Sequence, residues 1–548
     1  MRIPNLAACF IVVGSLALSL AAQDRVRLTV SVTRNDGAPI QDLKKADFSV
    51  QDAGKPRSVE SFVAPVQISA PAKLGPNEYS NAPNLAESSG AIFVVLDTVH
   101  TRYLDERDLR EVILRFLARA AEAKHAVTLA ILNDKGLRVY HDYHSGSDVL
   151  LASLVKAGLG GLKGGTAPPG VSEAEVTAEA GRLTAFSKGD LSNPTPQDQL
   201  MRSNIDLPLV MFQDIGLSAS GLPGRKSLIW VTNAIPFDIN PKTFQFVSPK
   251  TSNRGVAVGV SASPAPAGPV GLAGPQLPTP GPSSGGTRDV LTGDQVKRLL
   301  PIWRHSTRDL FDGGVAVYPV LAQGASTSGS GALVIPIMKT LAELTGGRAF
   351  YGTNDPFPEI LQMSNGNTGG YVLGFAGDSS SGGEFHHVQA SVDHSGLHID
   401  APAGYFPIDL TKSRPQDEIG LALQSPLEYT GISFRVRFTG EEDSGGKKKV
   451  NLTIAMPGDN GVLNEATNKV DLGIIAVATN AKGDTVGKLS EGAGGQFPPD
   501  AVAQIKEMGF ELKRSIIVAS AGDFTLRLVI RDNLTGRIGS LIMPLTVR

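Results

Sequence analysis

The chain has 548 residues, 41% hydrophobic and 19% charged, an ordinary globular composition with length enough for about three domains. Its 51 Lys+Arg nearly balance 53 Asp+Glu, and the net charge of -2 argues against a nucleic-acid backbone partner, which would need a basic face. The only cysteine is Cys9, near the start, so disulfide and thiol chemistry are excluded from everything after it.

Arg2, the apolar run Leu6 to Leu20 and the small-x-small Ser19-Leu20-Ala21 read as a signal peptide over residues 1–22, with the mature chain starting near Ala22. No later run reaches ~20 apolar residues, so no transmembrane segment is expected after cleavage, and the periplasm or cell exterior is the expected compartment. Residues 23–65 read as a small β module. There Val26, Leu28, Val30 and Val32 alternate with polar residues, Asn35-Asp36-Gly37 turns, and short strands follow at Phe48–Val50 and Val59–Val63. Residues 66–90, rich in Pro, Ser, Asn and Ala, read as a linker.

Ala91 to Leu96 is apolar without alternation, as in a strand buried on both faces, and it stops at Asp97. Leu109, Val112, Ile113, Phe116, Leu117 and Ala120 then form one helical stripe. Strands are predicted at Val127–Leu132 and Leu137–Tyr143. A helix carrying Leu150, Leu151, Leu154 and Val155 ends in the glycine-rich Gly158 to Thr166. After a polar, loosely ordered stretch come a helix at Leu207–Ser218 and strands at Ser227–Thr232 and Val315–Val320. A helix opened by Pro336 follows, and a last strand at Tyr371–Phe375. This alternation predicts an α/β fold with a doubly wound, mostly parallel sheet over residues 91–408, flanked by N- and C-terminal all-β modules. The Pro/Gly/Ala/Ser segment 261–286 reads as a disordered insertion. Residues 415–548 read as a β-sandwich-like domain, with strands at Ile432–Phe438, Val450–Met456, Leu472–Ala478, Ser515–Ala519 and Phe524–Ile530.

Catalytic signatures are missing from the sequence. There is no G-x-S-x-G elbow, Walker loop or H-E-x-x-H helix, and the glycines at 158–165 follow a helix instead of a strand. Arg225-Lys226 reads as a solvated turn. His386, His387, His394 and His398 read as a solvated strand face, the first two pointing opposite ways, while His141 and His144 flank Tyr143. The expected class is therefore non-enzymatic.

Asp97-Thr98-Val99-His100-Thr101, Gly164-Gly165-Thr166 and Val231-Thr232-Asn233-Ala234 fall where a von Willebrand factor type A (VWA) domain carries its adhesion motif, and the central region resembles that family. The longer series is more specific. It runs Gly37-x-Pro39-Ile40, Leu43-x-x-x-Asp47-Phe48-x-Val50-x-Asp52-x-Gly54, Leu96-Asp97-Thr98 with Thr101, Gly224-Arg225-Lys226-Ser227-Leu228-Ile229-Trp230 and Gly346-Gly347-Arg348-Ala349-Phe350-Tyr351. Tyr371-Val372-Leu373-Gly374-Phe375 and Gly404-Tyr405-Phe406 complete it. Over roughly residues 25–408 these marks resemble VWFA-related secreted proteins of the Acidobacteria type. The resemblance implies a VWA-like fold, secretion, and a metal-ion-dependent adhesion site made by Asp97, Thr101, Thr166 and Asn233 around Mg2+ or Mn2+. Val99 and Asn233 stand where that motif has a serine and an aspartate, which makes the site degenerate. Asp97 and Thr101 equally suit plain capping of the first helix, and the sequence leaves both readings open. The expectation is an exported adhesion-type protein that binds a protein partner. The alternatives are a structural or assembly component of the cell envelope with a vestigial site, and a metal-dependent hydrolase using the histidines.

Overall fold

The computed structural model describes residues 25–65, 74–82, 90–101, 106–162, 171–188, 205–246, 293–322, 331–353, 355–367, 370–377, 383–408, 415–458 and 460–548. The signal-peptide reading, Thr166 and the insertion at 261–286 lie outside them. In chain order, β1 (Arg25–Arg34), β2 (Phe48–Asp52), β3 (Lys55–Arg57), β4 (Ser61–Val63) and β5 (Glu78–Ser80) precede β6 (Ala91–Asp97). Next come α1 (Glu106–Glu122), β7 (Ala126–Asn133), β8 (Gly136–His141), α2 (Gly146–Lys156), α3 (Glu173–Lys188), α4 (Asp206–Ala219) and β9 (Lys226–Thr232). They are followed by α5 (Gly293–Asp312), β10 (Val315–Leu321), α6 (Gly331–Thr345), α7 (Phe357–Gly366), β11 (Gly370–Ala376), β12 (His386–Val392), β13 (Leu397–Asp400) and β14 (Gly404–Tyr405). The remainder is α8 (Pro415–Gln424), β15 (Arg435–Ser444), β16 (Lys447–Met456), β17 (Lys469–Thr479), β18 (Thr485–Gln496), α9 (Pro499–Met508), β19 (Phe510–Val518), β20 (Gly522–Asp532) and β21 (Ile538–Val547).

These elements overturn the expected VWA-like, doubly wound α/β fold. Of the four sheets among the described residues, only the five-stranded one, ordered β10-β9-β6-β7-β8, has parallel pairs, and its edge strand β8 runs antiparallel to β7. The other three are antiparallel throughout, so the molecule is mostly antiparallel β. The apolar run at Tyr371–Phe375 shows why the reading failed. It is β11, and it pairs antiparallel with β1, Val30 opposite Tyr371 and Leu28 opposite Leu373. An unbroken apolar run reports burial on both faces; it does not report which strand lies alongside.

Two four-stranded sheets, β13-β1-β11-β4 and β14-β12-β2-β3, share a core of Val26, Leu28, Val30, Val50, Leu373 and Phe375. They form a small sandwich from the chain's first strands and the strands at 370–405. The mixed sheet is buried on both faces: Phe93 and Val95 point into one core, Ile92, Val94 and Leu96 into the other. Helices cover it on each side, which is why β6 could be wholly apolar.

The third body is one eight-stranded sheet, β21-β20-β17-β18-β19-β16-β15-β5. It curls around a core that takes every second residue, Leu472, Ile474 and Ala476 from β17 and Leu526, Leu528 and Ile530 from β20, until β21 and β5 come close. Strand β5 and Asn81 come from the stretch read as a linker. The Asn81 amide donates to the Tyr429 and Ile432 carbonyls at 2.9 and 2.8 Å and accepts from the Phe434 N–H at 2.8 Å, fully buried.

Candidate functional site at the end of β6

Strand β6 ends between β7 and β9, where Thr98 N–H donates to the Leu132 carbonyl at 3.0 Å. The chain must then turn away from the sheet, and Asp97 holds that turn. Its Oδ1 accepts the Val99 and His100 backbone N–H groups, both at 3.0 Å, an Asx turn. Its Oδ2 lies 2.9 Å from His100 Nδ1 and 3.1 Å from the Thr232 hydroxyl at the end of β9. The single Thr232 proton can serve Asp97 or the Ala234 carbonyl, 2.9 Å away. Asp97 is fully buried, and His100, Thr101 and Asn233 are each less than a tenth exposed.

Of the four residues expected to hold a cation, the structure brings Asp97, Thr101 and Asn233 to this strand end; Thr166 lies outside the described residues. A hard divalent cation needs carboxylate lone pairs directed at it. Here those of Asp97 face two backbone amides, an imidazole and a hydroxyl, an arrangement that fits a hydrogen-bonded latch. Among the described residues there is no group of three or more His, Cys, Asp or Glu placed to hold a metal. The latch partners His100 and Thr232 carried no signal of their own in the sequence; only the fold puts a β9 hydroxyl against a β6 carboxylate.

The histidines do not converge either. His386 is buried, with Nδ1 at 2.8 Å from Asp52 Oδ1 and the Tyr405 hydroxyl reaching the same carboxylate. This corrects its assignment to a solvated face, though His387 does point the other way and is exposed. His394 pairs with Asp47 at 3.4 Å and His398 with Asp400 at 3.2 Å. His141 makes a buried pair with Glu179 at 2.6 Å, tying β8 to α3. Each imidazole is a local staple.

Arg225 and Lys226 are also buried, not a solvated turn. Arg225 donates to the Thr345 and Gly346 carbonyls at 2.9 and 2.7 Å, and Lys226 Nζ to those of Leu222 and Gly224, both at 2.8 Å. Burial pushes the Lys226 amine down to about 7, with the nearby Arg27 charge adding to the effect. Next along, Ser227 accepts from Ser364 at 2.9 Å and from Asn367 at 3.2 Å. Asn367 also reaches Tyr318 at 3.1 Å and accepts from Ser31 of β1 at 3.3 Å. The Gly224-Arg225-Lys226-Ser227 motif is thus the joint between the sandwich and the mixed sheet.

No family model matches the sequence, and no curated protein matches it either. Among solved structures, the crystal structure of the pilus adhesin SpaC from Lactobacillus rhamnosus GG is similar at 9% identity and a TM-score of 0.25. The match covers 83% of this chain and 53% of that one, so the chain spans about half the adhesin's length. A likeness this loose fixes neither fold nor function.

Proposed function

We propose that the chain is an exported, non-enzymatic protein of the adhesion type that binds a protein partner at the C-terminal ends of β6 and β9, without a cation. The observation that carries this reading is the turn that Asp97 holds. With its carboxylate accepting the Val99 and His100 amides and facing the His100 imidazole and the Thr232 hydroxyl, residues 97–100 are held in one shape at the strand end. A preshaped surface lowers the ordering cost of association, which is what a binding site needs. The resemblance to VWFA-related secreted proteins and the signal-like residues 1–22 support export. Capture of partners from cell-envelope extracts with and without chelator tests it: capture indifferent to chelator supports the reading, and capture lost on chelation sinks it.

A second reading, a structural component of the envelope with a vestigial site, is favoured by how firmly the bodies are sutured. Asn81 joins β5 to the C-terminal body, and the Tyr429 hydroxyl donates to Asp214 of α4 at 2.5 Å. On that reading Asp97→Ala leaves partner capture unchanged, whereas on the first it abolishes capture.

A further inference from the structure

The C-terminal body meets the mixed-sheet body along one seam, and ionisable groups from both sides line it. On the mixed-sheet side, Asp142 and His144 follow β8, with His144 Nδ1 at 2.5 Å from Asp142 Oδ1 and its ring stacked on Tyr143 at 4.1 Å. Glu428, just before β15, lies across from them, with Oε2 at 3.7 Å from His144 Nε2 and Oε1 accepting the Ile542 N–H of β21 at 2.8 Å. One residue on, Tyr429 donates to the buried Asp214 and Thr430 to the Ser218 carbonyl, both at 2.5 Å. The imidazole of His144 therefore stands between a carboxylate of its own turn and one of the opposing body. Asp214 is closed in by the same short segment.

We propose that this seam is a proton-operated clamp, tightest when Asp214 and Glu428 carry their protons and His144 is cationic, and progressively loosened as those protons leave. The chemistry follows from what each ionisation leaves behind. Ionised Asp214 is a buried charge, with the Tyr429 and Ser425 hydroxyls and Arg527 as its compensation. Ionised Glu428 faces His144 and Arg527 but also Asp142. Once His144 is neutral, Asp142 and Glu428 stand together without the cation between them; His141 is the other base acting on Asp142. Behind Tyr429, half-buried Asp309 of α5 adds a further acid held well above the ordinary carboxylate range by desolvation, with Asp312 and Glu418 acting the same way and Arg308 against them.

The three groups titrate in the same direction. Burial raises Asp214 to about 6 and Glu428 to about 7. His144 is raised to about 9: burial pulls it down, and Asp142 and Glu428 outweigh that. Each folded value lies above the unfolded one. Each contribution is therefore complete below the unfolded pKa and lost as pH rises through about 6, 7 and 9 in turn. An interface between two bodies responds to that loss by opening locally.

The test is hydrogen exchange of the amides of residues 425–434 in the intact chain at pH 5 and pH 8.5, corrected for intrinsic exchange. Protection is expected to fall at least about tenfold between the two. Equal protection at both pH values overturns the proposal. In Asp214→Asn with Glu428→Gln both carboxyls are permanently neutral, and most of the pH dependence below pH 8 is expected to vanish; its persistence overturns the proposal as well. Should that pair fail to fold, His144→Gln removes the cation and is expected to lower protection at pH 7.5. Unchanged protection there has the same overturning force.

Discussion

Removing the Asp97 carboxylate strands the Val99 and His100 amides and leaves the Thr232 hydroxyl without one of its acceptors, all of them at a buried strand end. Asp97→Ala is expected to destabilise the chain by about 1–3 kcal/mol in denaturant unfolding, beyond the loss of an exposed cap. Adding oxygen ligands does not create a cation site while those donors remain, so Val99→Ser with Asn233→Asp is expected to give no Mn2+ binding in calorimetry. A clear binding isotherm would refute the latch. Lys226 makes a separate test. Its amine is lowered to about 7 by burial, so between about 7 and its ordinary value near 10.5 the unfolded chain holds the extra proton. Stability from this group therefore rises with pH across that window. Lys226→Met is expected to flatten the slope of stability against pH above 7, read from urea midpoints at matched ionic strength.

At the scale of elements, the joints carry the sharpest consequences. Asn81 serves three main-chain groups of the 429–434 segment at once, so Asn81→Ala takes the donor from the Ile432 carbonyl and the acceptor from the Phe434 N–H, while the Tyr429 carbonyl keeps the Ser540 N–H at 2.9 Å. A loss of about 2–4 kcal/mol is expected by denaturation, a few net hydrogen bonds' worth. Gly221 is closer still: a Cβ there would stand 2.0 Å from the Thr430 carbonyl oxygen, a main-chain atom that cannot swing aside. Gly221→Ala is expected to cost at least about 2 kcal/mol and to raise exchange at Thr430. Little of this was legible beforehand. The α4 helix and the strands β6, β9 and β10 could be read from their periodicity and apolar runs, because those signals are local. Strand β18 is glycine-rich, Gly492, Gly494 and Gly495 among its residues, and resembles a loop until β17 pairs with its whole length. Helix α3 reads as loosely ordered polar sequence, yet Val176, Leu183 and Phe186 pack its inner side and Glu179 is buried against His141. Pro336, read as a helix opener, lies inside α6. The candidate site was legible to the same degree. Asp97 was found from the strand that delivers it, but His100 and Thr232 needed the tertiary fold.

For the whole molecule, pairings between distant parts of the chain decide the architecture. Strand β1 lies between β11 and β13, more than 330 residues away in sequence, and β5 borders β15. Such contacts leave no local trace, which is how a chain with several apolar, helix-separated strands came to be mostly antiparallel β. Among the described residues no helix is long and apolar enough to cross a membrane. Buried side-chain hydrogen bonds join the three bodies, and the functional claim rests on what they hold at the end of β6. The direct measurement is partner capture from envelope extracts by the immobilised chain, in buffer with Mg2+ and in buffer with excess EDTA, for the wild type and Asp97→Ala side by side. The expected result is capture by the wild type that is equal in both buffers and lost in Asp97→Ala, whose turn is no longer latched. Capture that needs the cation, or that survives the loss of Asp97, would contradict a metal-free binding surface at this strand end.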